Sequence, residues 1–260
     1  MNQEELLIQI YYLSLVLFRI FGVFLVAPIY GSRAMPNRVK ISLAIFIIII
    51  LYPQIPVAQI EWPQPLLQVF IYFGLEFLVG LIIGFVFSLA FTTIQLAGQF
   101  IDRRMGYALA NVLNPSEGFQ VPLVGQFKNI VATLIFLILN MHHHILKLLN
   151  ESFVMVPITQ LSFSNELTQT LLRLIGDLFP IAFKIALPIV SILFIIDLAF
   201  GLVARVVPQM NVFIMGMPTK SLVGLLMISF ILGNYVDFLG GFFTDTVKDL
   251  YNILQVMGGK

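Results

Sequence analysis

The sequence contains no cysteine. Disulfide staples and thiolate metal sites are therefore excluded, although the absence does not identify a compartment. Histidine is scarce too: the three present, His142, His143 and His144, are consecutive. Helical neighbours project about 100° apart, so these rings cannot converge on one metal, and the run reads as an interfacial helix end. Charge is thin. Asp, Glu, Lys and Arg make up 10% of the 260 residues, where a soluble chain carries about 25%. The 14 basic and 13 acidic residues nearly cancel, which leaves no bulk attraction to nucleic acid. Enzyme signatures are missing as well. There is no HExxH, no GxSxG and no phosphate loop with its Lys, and the dispersed carboxylates offer no acid and base pair. No catalytic, cofactor or metal role has candidate residues.

What the sequence does have is apolar length. At 59% hydrophobic it predicts an all-α polytopic membrane protein, with room for about six spans. The run from Leu6 to Tyr30 is too long for a signal-peptide core and follows Glu4 and Glu5, so a retained helix is expected. Ile41 to Tyr52 is short for a span and stops at Pro53 and Pro56. Leu66 to Ala97 is the longest run; its 32 residues would reach about 48 Å, against a hydrocarbon core of about 30 Å. Such a helix must tilt, bend or leave the bilayer. Val121 to Leu149 reads as one further helix. Leu167, Leu171, Ile175 and Leu178 predict an amphipathic helix leading into Pro180, and Pro188 is expected to kink or restart the segment Ile181 to Val207. The loop VPQMNVFIMGMPTK, an apolar helix from Leu222 to Leu239 and an amphipathic tail from Phe242 to Met257 complete the chain.

Three features stand out against this background. The first is the polar stretch from Gly98 to Gln126, GQFIDRRMGYALANVLNPSEGFQVPLVGQ, set between two apolar blocks. Irregular backbone at membrane depth must be buried in protein or line a water-filled space. The stretch is thus either a connecting loop or a loop that enters a pathway and controls it. The second is a stripe of small residues, Gly80, Gly84, Ser88 and Thr92, at every fourth position. It lets another helix approach closely, either within the chain or in another subunit. The third is the set of charges inside apolar segments: Arg19, Glu76, Lys184 and Asp197. Such charges find partners or serve transport. Lys184 and Asp197 lie about 220° apart on a continuous helix and would not face each other. Basic loops at Arg33 to Lys40, Arg103 to Lys128 and Arg205 to Lys220 would be cytoplasmic by the positive-inside rule, with both termini outside.

The chain resembles the FliR/SctT family of type III export-gate proteins over nearly its whole length. The most specific part is LAFGLVARVVPQMNVFIMGMP, with Leu198, Gly201, Arg205, Pro208, Gln209, Asn211, Phe213, Gly216 and Pro218 in family-like places. Pro28, Arg33, Pro36, Arg38 and Lys40 add to it, as do Gly80 and Gly84, Gly98, Met105, Gly106 and Pro115, Asn140 with His142, and Pro188. There are two departures. Arg104 stands where many relatives have Gln, and Met141 replaces a Gly that often forms a flexible joint.

The resemblance implies a single export-gate domain over residues 1–260, built of kinked helical hairpins with FliP-like and FliQ-like halves instead of a flat bundle. It implies partners: FliP and FliQ in a pore, FlhA and FlhB beside it, membrane lipid around it, and unfolded flagellar proteins as cargo. It implies a place in the bacterial inner membrane at the flagellar basal body, and no enzymatic activity, since energy comes from the proton-motive force and a separate ATPase. It also implies that the central loop plugs the closed pore. The residues at those positions are Tyr107, Ala110, Asn111, Val112, Leu113, Asn114, Pro115, Glu117, Gly118 and Phe119. An injectisome gate subunit is the near alternative. A secondary transporter for a small solute is the distant one; it would use the buried charges and broken helices, but no pair of similarly interrupted segments recurs in the two halves.

Overall fold

In lipid every backbone amide must be bonded within its own segment, and a chain this apolar answers with helices. The computed structural model describes residues 3–32, 35–55, 66–107, 122–209 and 211–259, and all regular structure among them is helical. Seven α-helices are present among the described residues: α1 (Gln3–Val26), α2 (Asn37–Leu51), α3 (Leu66–Met105), α4 (Leu123–Ile138), α5 (Met141–Met155), α6 (Asn165–Val206) and α7 (Val212–Met257). A short 3₁₀ turn, Tyr52–Gln54, follows α2. The all-α, multi-span architecture expected from composition is present. Helices α1, α3, α6 and α7 are each long and apolar enough to cross a membrane, and α4 with α5 forms a fifth crossing if the bent pair counts as one. At 15 residues, α2 falls short.

The helices differ from the sequence expectation in three places. Val121 to Leu149 is not one helix. It breaks at Asn140, whose φ of 55° is left-handed. Asn is one of the few side chains that tolerate this backbone region. Second, neither Pro180 nor Pro188 interrupts α6, which runs unbroken for 42 residues. Each proline forfeits one backbone hydrogen bond, whereas ending a helix strands several amides and carbonyls at once. Between apolar flanks, the smaller loss prevails. Third, α7 starts inside the expected loop, takes in Pro218, and continues through the tail without a gap at Gly240 and Gly241.

Backbone packing divides the chain into two units. The first comprises Met1–Leu89, Leu139–Leu174 and Phe243–Lys260; the second comprises Ala90–Ile138 and Ile175–Phe242. In the first unit α1 and α3 meet without intervening side chains. A Cβ on Gly80 would strike the Arg19 carbonyl, and one on Gly84 would lie 2.9 Å from the Val23 carbonyl oxygen. Around this crossing Leu15, Val16 and Ile20 of α1, Ile83 and Phe87 of α3 and Ile145 and Leu149 of α5 are fully buried. In the second unit one cluster joins Ala97, Ile101 and Met105 of α3, Val124 of α4, and Ala182, Ala186, Ile189 and Leu193 of α6; Met227, Ile228 and Ile231 of α7 pack on it.

Candidate functional site

The central polar stretch starts inside α3, which does not stop at Ala97 as the apolar run does but carries Gly98 to Met105 as its last two turns. Gly106, at φ +89°, closes the helix in a conformation that side chains resist, as a C-terminal glycine does. One turn earlier, Asp102 is buried and turns its carboxylate to the start of α4. Oδ1 accepts from the Val124 amide at 3.0 Å, and Oδ2 from the Gly125 amide at 3.2 Å. These are second and third amides of α4, which have no partner within their helix. A carboxylate there satisfies both and also meets the positive end of the helix dipole. Asp102 is therefore an N-cap supplied from 22 residues away. Gly98 lies against Gly125 so closely that a Cβ on Gly98 would collide with the Gly125 backbone. Arg103 and Arg104 are exposed at the end of α3, the side of the dipole that favours cations. The result is a clamp that holds the end of α3 against the start of α4.

Of the residues expected to form a plug, Tyr107 is half-buried at this clamp. Ala110, Asn111, Val112, Leu113, Asn114, Pro115, Glu117, Gly118 and Phe119 lie outside the described residues. Beside the clamp, in the same unit, an apolar groove of about 400 Å³ runs between α4 and α7, lined by Tyr107, Leu123, Val124, Phe127, Leu225, Ile228, Ser229 and Leu232. Next to it Lys128 of α4 is buried, with its ammonium 4.2 Å from the centre of the Tyr235 ring. That is cation–π distance.

The charges expected within apolar segments fall into three situations. Arg19 and Glu76 form a buried pair in the first unit, Nε to Oε2 at 2.7 Å. Arg19 also donates to the carbonyls of Ser152 and Val156 at 2.9 to 3.1 Å, so it caps the C-terminus of α5. Glu76 accepts from the Thr159 amide at 2.8 Å. In the second unit Asp197 of α6 pairs with Lys220 of α7 instead of Lys184. Lys184 is exposed on α6, with no ion-pair partner among the described residues. Outside the spans, burial pushes the Tyr30 phenol up to about 12, and it donates as a neutral group to the His142 carbonyl at 3.2 Å.

The small-residue stripe divides. Gly80 and Gly84 face α1, Ser88 donates back to the Phe85 carbonyl at 2.8 Å, and Thr92 is exposed in the second unit. The motif residues gather at the α6–α7 hairpin. Gly201 and Arg205 are exposed on the last turns of α6, and Pro208 and Gln209 form the turn. The Asn211 side chain accepts from the Ile214 amide at 3.3 Å and so caps α7. Gly216 is buried early in α7, and Pro218 follows it. A side chain on Gly201 would meet nothing within 4 Å in this chain. The sequence reading gave no role to Asp102, the Gly98–Gly125 contact or Lys128. Only Lys128 carried a usable signal, as a lone cation close to the apolar run Ile130–Leu139.

Long apolar helices, a buried ion pair and a clamp between α3 and α4 define a multi-span helical membrane protein. Residues 10–246 match the family described as "Bacterial export proteins, family 1", and the chain belongs to that family. It is similar to the flagellar biosynthetic protein FliR of Bacillus subtilis (strain 168), at 34% identity over 94% of this chain and 95% of that protein. The FliR of Pectobacterium carotovorum subsp. carotovorum is 32% identical over 91% of this chain and 90% of its own. That of Escherichia coli (strain K12) is 27% identical over 92% and 91%.

Proposed function

We propose that the chain is a subunit of the flagellar type III export gate in the bacterial inner membrane at the basal body. In this reading it assembles with FliP and FliQ into the pore through which unfolded flagellar proteins leave the cytoplasm, with FlhA and FlhB as neighbours. The observation that carries the reading is end-to-end similarity, at 34% identity, to a protein named for flagellar biosynthesis. That name favours the flagellar over the injectisome form of the gate. The chain supplies no chemistry of its own; it shapes and seals a path.

The seal is assigned to the central segment, Tyr107 with Ala110 to Phe119. Its composition supports the assignment. Val112, Leu113 and Phe119 are apolar, while Asn111, Asn114 and Glu117 keep the segment compatible with water. Each apolar side chain contributes only about 1.5–3 kcal/mol when buried, which suits a seal that must be displaced. The clamp makes the test clean. Asp102 and Gly98 already hold α3 to α4, so shortening the segment between them does not pull the helices apart. Deleting Ala110 to Gly118 is expected to leave the complex assembled but leaky to ions and small solutes. Conductance across the membrane, or growth sensitivity to small toxic solutes, reads this out in cells where co-purification confirms assembly. A deletion complex as tight as the parent would return the stretch to an ordinary connecting loop.

A further inference from the structure

The groove between α4 and α7 ends on a cation that no acid among the described residues answers. Lys128 is 5% exposed, and the contact its ammonium makes among the described residues is with the Tyr235 ring. Tyr235 is 7% exposed, and its hydroxyl is buried without a hydrogen-bond partner. A small opening of about 10 Å³ lies between these two side chains and shares Phe127, Ile228 and Leu232 with the larger groove. That is close to the space one water occupies. An unpaired cation and an unpaired phenol in an apolar site are each costly. Two described acids of this unit are engaged elsewhere: Asp102 caps α4 and Asp197 pairs with Lys220.

The walls of the groove have the spacing of a helix seat. Leu225, Ile228, Ser229 and Leu232 recur on α7 at the interval of one helical face, opposite Phe127 on α4. We propose that this groove receives a membrane-embedded helix of a different chain, and that an Asp or Glu on that helix pairs with Lys128. One carboxylate oxygen accepts from the Lys128 ammonium and the other from the Tyr235 hydroxyl. The flanking apolar side chains of the incoming helix fill the rest of the groove.

Two other occupants fit less well. A lipid phosphate brings more acceptor oxygens than one ammonium and one phenol can serve in so small an opening. On the stretch of α7 that belongs to this unit, the acid a second copy offers is the exposed Asp237. Asp237 lies two residues from Tyr235, about 200° round the helix, so the contact would join two different surfaces and add copies without closing. The inference rests on the export-gate reading only in requiring a hetero-assembly.

The test uses the chain co-expressed with FliP and FliQ, with benzoylphenylalanine in place of Leu225. Membranes are irradiated, the complex is purified, and the cross-linked peptide is sequenced. A peptide from another chain, with an Asp or Glu inside an apolar run, is the expected result. In parallel, Lys128→Met should reduce co-purification of that chain roughly tenfold or more, because its carboxylate is then buried unpaired. A cross-link to an acid-free peptide, to a second copy, to this chain's own residues 108–121 or to lipid would overturn the assignment. So would undiminished co-purification of Lys128→Met. The cross-linking chain keeps Lys128, so that arm stands even if the Met variant misfolds. If the parent chain fails to recover FliP and FliQ, the export-gate reading falls. If it recovers them and the cross-link lands elsewhere, only the groove assignment falls.

Discussion

At the scale of residues, Arg19 shows what the sequence could and could not reveal. A charge in an apolar helix announces that it needs a partner. Which partner is set by the fold, since Glu76 is 57 residues away and the Ser152 carbonyl 133. Asp102 was harder to read. It lay in a visibly polar stretch, but its work as a cap depends on where α4 begins. Arg19→Met removes the cation from Glu76 and the cap from α5 together, and should destabilise the protein by about 3–5 kcal/mol. Glu76→Gln should cost less, because Arg19 keeps its carbonyl acceptors and the new amide oxygen can still accept. Thermal unfolding of the purified complex in detergent ranks the two. Equal losses would show that the ion pair alone, and not the cap on α5, sets the stability here.

At the scale of elements, long apolar runs were legible and their interruptions were not. Proline marked an expected helix boundary at 180 and a kink or restart at 188, yet α6 runs through both as one helix. The expected helix Val121 to Leu149 is instead interrupted at Asn140, where a single residue adopts a left-handed backbone. Met141, standing where relatives often have a flexible Gly, is an ordinary first residue of α5, and the break falls one residue earlier. The small-residue stripe was legible as a contact surface but not as to its partner. Gly80 and Gly84 face α1 of the same chain, so Gly80→Leu with Gly84→Leu should block folding of this unit before any assembly step. The expected outcome is loss of the chain itself from membranes, scored by immunoblot after pulse labelling. Normal accumulation together with a smaller complex on blue-native gels would show that the stripe serves other subunits instead.

At the scale of the whole molecule, composition alone announced a helical membrane protein, because so few charges leave no other stable class. The division into two units was not legible, since α3, α6 and α7 each supply residues to both. Much apolar surface stays uncovered: Leu202 and Val206 on α6 and Ile214 and Phe230 on α7 are each more than 60% exposed. Lipid tails can cover such residues, but they cannot pair with Lys128 or Lys184. The chain expressed without FliP and FliQ should therefore give low yield and aggregate, as read by size-exclusion chromatography in mild detergent. A monodisperse, heat-stable lone chain would count against its being a subunit. The clamp at Asp102 has a consequence of another kind. Because the two ends of residues 108–121 are joined by the body of the protein, their length is nearly free of energetic constraint; doubling a closed loop costs only about 0.6 kcal/mol. Selection can lengthen, trim or rewrite this segment while α3 and α4 stay where they are. The central stretch is in that sense the part of the chain where evolution can experiment without rebuilding the helices around it.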